Sequence, residues 1–352
     1  MRSFLKRKNI TFSTERYLID ALGAMPLGLF ASLLIGTIMK TLGELTGLEV
    51  LLRINVVASL MTGPAIAVAV AWALKAPPLV LFSSCIVGAT SYGLTVNGIP
   101  VGGFIGGGPV GALVAACCAA ELGKAVSKET KADIIVTPAV TILSGVFVGA
   151  YIGLPVSVLM DWVGGLINFA TQQNPVVMGM LVSAIMGIVL TSPISSAALA
   201  VALGLSGVAA GASTVGCATQ MVGFAVMSFR ENGWGGLVAQ GLGTSMLQMP
   251  NVIKNWKIWI PPILASAMLG PLATVVFKME NIPIAAGMGT CGLVGQIGTI
   301  TAMSTSAGNS AFMMYLGIAL LHFILPALLT LVFAAGLRRV GWIKEGDLKL
   351  DL

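Results

Sequence analysis

Ten apolar runs divide this chain, at residues 21–43, 53–74, 78–96, 101–122, 135–157, 174–192, 207–229, 258–278, 283–304 and 309–337, each bounded by Pro, Gly or charge. A hydrocarbon core takes about 20 residues of helix to cross. Only 9% of the residues are charged and 57% are hydrophobic, whereas a globular domain carries roughly 25% charged residues. A soluble fold of 352 residues has too little polar surface to cover these runs. The expected fold class is all-α: a polytopic membrane protein of about ten transmembrane helices, with the lipid bilayer as its first partner. The 44 glycines fit helices that approach closely in lipid. Little length remains for a soluble catalytic domain.

The formal charge of +6 does not point to nucleic acid, because the basic residues stand at the ends of apolar runs instead of along one polar face. Arg2, Lys6, Arg7, Lys8 and Arg16 precede the first run, and Arg338 and Arg339 close the last. The bias of Lys and Arg toward the cytoplasm places both termini inside, so the number of crossings is expected to be even. The first run begins well after the basic cluster and more follow, which argues against a cleaved signal. Residues 11–20 (TFSTERYLID) read as a short amphipathic helix on the inner surface. The five cysteines all fall in apolar runs, without metal-ligand spacing, and read as packing residues.

An internal repeat is the most informative pattern. LGLFASLLIG, with Gly28, Ser32 and Gly36, aligns with MGMLVSAIMG, with Gly179, Ser183 and Gly187. The run from Pro77 and Pro78 to Pro100 matches the run from Pro261 and Pro262 to Pro283. This divides the chain into a basic, amphipathic cytoplasmic N-terminus (1–20), a first transmembrane repeat (21–157), an interfacial connector (158–173), a second repeat (174–338) and a cytoplasmic tail (339–352). Five crossings per repeat give the two halves inverted topology. Lys40, Arg53, Arg230, Lys254 and Lys257 then lie outside and the other 14 of 19 basic residues inside. Placing 230–257 inside satisfies the charge rule at least as well, and the repeat breaks the tie. Segments 193–206 and 233–250 are short or Gly-rich and read as re-entrant or broken.

Inverted repeats meet near the bilayer midplane, where discontinuous helices present backbone to a substrate. The paired Gly-rich segments are 97–111 (NGIPVGGFIGGGPVG) and 281–296 (NIPIAAGMGTCGLVGQ). The substrate-binding candidates are Asn97, Gly103, Gly106, Gly107 and Gly108 in the first, and Gly287, Gly289, Thr290 and Gln296 in the second. Asn309 and His322 lie beyond them. Close helix packing through Gly103, Gly107 and Gly111 is the competing reading of the first segment. His322, the sole histidine, sits within the last run and is read either as a solute or proton partner or as a helix-to-helix hydrogen bond. Gln220, Gln240, Gln248 and Asn251 are further polar groups in apolar surroundings. Without a catalytic constellation, metal-ligand set or cofactor signature, the chain reads as a transport protein and not an enzyme.

The basic N-terminus before AMPLGLFASLLIGTIMKTLGE, together with TVNGIPVGGFIGGGPVGALVAA, resembles the phosphotransferase system (PTS) enzyme IIC family. The likeness is to its perfringolysin O regulator-like branch and covers nearly the whole chain. It implies a homodimeric permease subunit in the bacterial cytoplasmic membrane that carries a sugar inward while separate IIA and IIB proteins phosphorylate it. This chain has no soluble phosphoryl-accepting domain and no evident buried Glu and His pair. An elevator-like permease for a small, sugar-like polar solute is the leading expectation. A membrane regulator of gene expression, or an uncoupled facilitator, is the alternative.

Overall fold

Hydrocarbon-length helices dominate the computed structural model, which describes residues 2–13, 15–93, 95–96, 99–100, 106–305 and 310–350. Among these residues six helices are long and apolar enough to cross a bilayer, and a bent pair makes up to seven. Two shorter apolar helices, Pro78–Tyr92 and Pro175–Thr191, add to them. The chain falls into two compact units, Met1–Leu159 and Met160–Leu352.

In the first unit, a short helix Arg2–Arg7 precedes α1 (Arg16–Glu44), α2 (Glu49–Leu60), α3 (Thr62–Ala73), α4 (Pro78–Tyr92) and α5 (Gly108–Val126). Helix α6 (Asp133–Thr171) begins in this unit. α2 and α3 bend by 52° at Met61. α4 starts where Pro78 needs no hydrogen-bond partner and ends at Gly93, whose φ of +87° suits glycine. Residues Thr95–Val96 and Ile99–Pro100 pair antiparallel. α3 and α4 cross at Gly63 and Gly88, each lying where a Cβ would collide with the other's carbonyl oxygen. The outer face of α6 shows Leu143 at 71% and Phe147 at 65% exposure, a face that an apolar solvent must cover.

Two sequence expectations change here. TFSTERYLID is not a separate surface helix, since Arg16 already opens α1. The start is possible because the Arg16 guanidinium bonds Glu121 and the Leu74 carbonyl. Likewise, residues 158–171 continue α6 instead of forming their own connector helix.

The second unit comprises α7 (Pro175–Thr191), α8 (Gly207–Met227), α9 (Phe229–Val238), α10 (Trp256–Val276), α11 (Val294–Thr305) and α12 (Ala311–Arg339). α8 is its spine: the sequence GVAAGASTVGCATQMVGFAVM holds few bulky side chains, so neighbours pack on every side and its apolar window is 94% buried. α7 crosses α10 through Gly179 and Gly270, again carbonyl against glycine. The contacts along α8 measure depth. At one end Gly207 O accepts from Asn281 N, and Pro175 O accepts from Thr274 of α10. At the other end Arg338 donates to Met227 O, and Gln240 donates to Ser228.

This ruler sets the course of 193–257, where 193–206 and 233–250 are broken segments as expected. Thr191 lies level with Gln220 of α8, and the chain returns to Gly207 through the short helix Ser196–Ala202, so this segment carries the chain back across much of the unit. The run 283–304 does not cross. It descends from Asn281 to Thr290, which touches Met221, and α11 climbs back until Thr299 again meets Asn281. Residues 229–255 lie at the same end as the C-terminal tail. Asn232 donates to Leu348 O, Asn251 to Lys349 O, and Asn255 to Trp342 O. Arg230, Lys254 and Lys257 therefore share the end that holds Arg338 and Arg339, as the charge rule alone suggests.

Candidate functional site

A helix broken inside a membrane leaves backbone carbonyls with no water to satisfy them. In the second unit these groups have been given hydroxyl partners. The four-residue helix Pro283–Ala286 stops at Gly287, and the chain turns through Gly289 and Gly292 at φ of +55° and +51°. Ser213 of α8 donates to Ala286 O at 2.6 Å, and Ser196 donates to Gly287 O at 2.7 Å. Asn281 closes the base of the hairpin. Its amide nitrogen shares two protons among Thr214 Oγ1, Gly295 O and Thr299 Oγ1, all within hydrogen-bond reach, while its oxygen accepts from Ile282 N.

A second re-entrant segment enters from the opposite end. After α9 it runs through a π-helical turn Ala239–Gly243 and a 3-10 turn Ser245–Gln248, then returns along Met249–Lys254. The two segments meet tip to tip, where the Thr290 hydroxyl donates to Gly241 O. Beside them the Thr191 and Ser245 hydroxyls share a 2.8 Å hydrogen bond. The base of this second segment is an amide chain in which Gln240 donates to Ser228, Gln248 to Gln240, and Asn251 to Gln248.

Gln296 and His322 differ from every group so far in having polar capacity left over. Gln296 opens α11 just beyond the turn and is 6% exposed, and His322 is fully buried in α12. His322 falls in a π-helical stretch, Ile318–Ile324, of the kind found at functional sites. Pro326, four residues on, has no N–H for the His322 carbonyl, and the widened turn accommodates its ring. The Gln296 amide nitrogen lies 3.0 Å from His322 Nδ1. That nitrogen can only donate, so Nδ1 accepts and the neutral ring carries its proton on Nε2. His322 Nε2 and Gln296 Oε1 are both buried without a partner. The pair thus offers one unused donor and one unused acceptor, the complement of a hydroxyl group. Gln220 is similar: its oxygen accepts from Trp259 and Thr191, and its nitrogen is unpartnered.

The other sequence candidates divide clearly. Gly287 and Gly289 press against the backbone of Ser196 and of Cys217 and Ala218, so they allow close packing. Thr290 spends its hydroxyl on Gly241. In the first unit, Gly106 abuts Gly93 and the Gly107 N–H donates to Ser91 O, wrapping the end of α4, while Gly108 adopts a φ of +58° with open space around it. Asn97, Gly103 and Asn309 lie outside the described residues. Among the described residues no His, Cys, Asp and Glu group is arranged to hold a metal ion. Sequence reasoning missed the supporting hydroxyls of Ser196, Ser213, Thr214 and Thr299. Their signal is compositional, since GASTVGCATQ combines hydroxyl, amide and small side chains in a run read only as a span.

The family profile described as Phosphotransferase system, EIIC, matches residues 19–350 of this chain. Comparison with curated proteins and with solved structures returns no match.

Proposed function

We propose, from the premise that this chain belongs to the phosphotransferase system EIIC family, that it is a membrane permease subunit carrying a small polar solute of the sugar class. The observation that carries this reading is the Gln296 and His322 pair, with a buried acceptor and a buried donor left unspent. An unsatisfied buried polar group costs roughly 1–3 kcal/mol. Two of them side by side are accounted for by a ligand that supplies hydroxyl groups. The re-entrant tips at Thr290 and Gly241 support passage of a solute, because a backbone held by hydroxyls can rearrange around it without exposing charge.

In this proposal the protein works as a homodimer in the bacterial cytoplasmic membrane, with both termini cytoplasmic, and separate IIA and IIB proteins supply phosphate. One unit moves past a scaffold in elevator-like alternating access. That motion rests on analogy between folds. The likeness to the perfringolysin O regulator-like branch supports a second reading, a membrane regulator without net transport. One observation favours it: the His322 ring is held by an amide and not by a carboxylate. The buried Glu121 is instead committed to Arg16 and Lys124 in the first unit.

The test is a thermal-shift screen of sugars and polyols on purified protein, followed by uptake into liposomes. A sugar should raise the Tm of the wild type, and Gln296→Leu or His322→Phe should weaken its binding by about tenfold or more. Equal binding by both variants would remove the site. Binding without flux in the presence of partner proteins would favour the regulator.

A further inference from the structure

A basic cavity of about 420 Å³ lies in the first unit, well inside the size range of ligand pockets. Five cationic side chains, Arg7, Lys8, Lys75, Lys124 and Lys128, border it against one carboxylate, Glu129. The charges are not evenly neutralised. Arg7 and Lys8 both pair with Glu129, at 2.7 Å and 2.5 Å, and Lys8 also donates to Ser127 O. Lys124 pairs with Glu121 at 2.7 Å and donates to the carbonyls of Leu74 and Asn9. Lys75 and Lys128 have no ion-pair partner among the described residues. Both are held in the left-handed region, at φ of +55° and +61°, just beyond the ends of α3 and α5. Asp133 accepts from the Lys128 backbone N–H and lies in the field of Lys128 and Lys8, so two carboxylates, Glu129 at the cavity and Asp133 beside it, face the five cations.

We propose that this cavity binds a phosphate-bearing anion. Lysine ammonium groups serve phosphate as point charges, and several oxygens on one anion match several separated donors. The position at the helix ends suits a phospholipid headgroup. An anionic cytoplasmic leaflet attracts basic clusters by about 1 kcal/mol per Lys or Arg. A soluble phosphate-bearing molecule has the same chemistry and is separated from lipid by experiment. The site is independent of the Gln296 and His322 pair, so its failure leaves the permease reading untouched.

The experiment compares the full-length wild type with Lys75→Asn/Lys128→Asn. Asparagine tolerates positive φ, so the change removes charge while keeping the backbone. Lys128→Asn alone supplies the same comparison if the double variant does not accumulate. Tm is measured in detergent with inorganic phosphate against chloride at matched ionic strength. It is measured again in nanodiscs of phosphatidylcholine with and without phosphatidylglycerol. The expected result is saturable stabilisation of the wild type by phosphate or by phosphatidylglycerol, weakened about tenfold or more in the variant. Stabilisation by the lipid alone assigns a headgroup, and stabilisation by inorganic phosphate assigns a soluble anion. No stabilisation by either, or an equal response from wild type and variant, overturns the proposal.

Discussion

Asn281 is the residue on which the re-entrant hairpin turns, and Asn281→Ala measures how firmly that hairpin is held. The wild-type side chain is 1% exposed and has four hydrogen-bonding neighbours, Thr214, Gly295, Thr299 and Ile282, at 2.6, 3.0, 3.2 and 2.8 Å, for two amide protons and one acceptor oxygen. Interhelical hydrogen bonds in lipid average about 0.6 kcal/mol, and those in water about 1 kcal/mol. Three full bonds at once give about 2–3 kcal/mol, and the lower figure alone shifts Tm by about 4–8 °C for a unit of this size. Asn281→Asp keeps the shape but turns a carboxylate oxygen toward the Gly295 carbonyl, so it should destabilise at least as much as Ala. The assay is thermal unfolding in detergent together with hydrogen exchange over 281–305. Faster exchange should be confined to that hairpin and to the facing Thr214 turn. An Asn281→Ala protein with wild-type Tm and wild-type exchange would refute the clamp, and with it the re-entrant reading of 283–304.

Other expectations follow from single contacts. Gly270→Leu should abolish recovery of monodisperse protein, because a side chain there drives into Gly179, while Gly165→Ala, in open space, should be neutral within about 0.5 kcal/mol. Truncation after Arg339 removes the buried Ile343 and Leu348 and strips partners from Glu231, Asn232 and Asn251. Hydrogen exchange in 229–255 should rise, and single cysteines at 254 and 345 in the full chain should label from one side of the membrane. The Lys8 hydrogen bond, aided by Arg7, holds the Glu129 carboxyl below its usual pKa. Its contribution is therefore present above the ordinary carboxylate range and fades as pH falls through the lowered value. Protection factors in residues 2–8, taken relative to the intrinsic exchange rate at each pH, should fall in acid and stay flat between neutral and mildly alkaline pH.

What the sequence makes legible depends on whether the deciding partner is near or far along the chain. Pro78 marks the start of α4 through its missing N–H group, and Pro262 falls in the first α-helical turn of α10, just after its 3-10 opening Trp256–Trp259. The sidedness of 230–257 is readable in Arg230, Lys254 and Lys257, and the tail contacts agree with charge over the repeat argument. By contrast, 283–304 reads as a span and is broken, for reasons no hydropathy window contains. The run is broken because Ser213 and Ser196, far off in sequence, satisfy its carbonyls. The repeat is also less regular than its glycines imply. Gly28 packs on Ala65 and Ile66 of α3, whereas its aligned partner Gly179 packs on Gly270 of α10. At the candidate site, a lone His and a Gln in apolar runs were visible. Their pairing, and the two atoms it leaves unspent, belong to packing alone.

Cysteine cross-linking between the two re-entrant tips is the most direct measurement. In membranes, Gly241→Cys with Thr290→Cys, in a background lacking the native cysteines, should form a disulfide that neither single variant forms, since the two residues share a hydrogen bond. The cross-linked protein should lose solute binding and regain it on reduction. A pair that stays reduced under oxidant, with the protein folded and binding its solute, would show that these segments do not meet and would remove the two-hairpin core from the account.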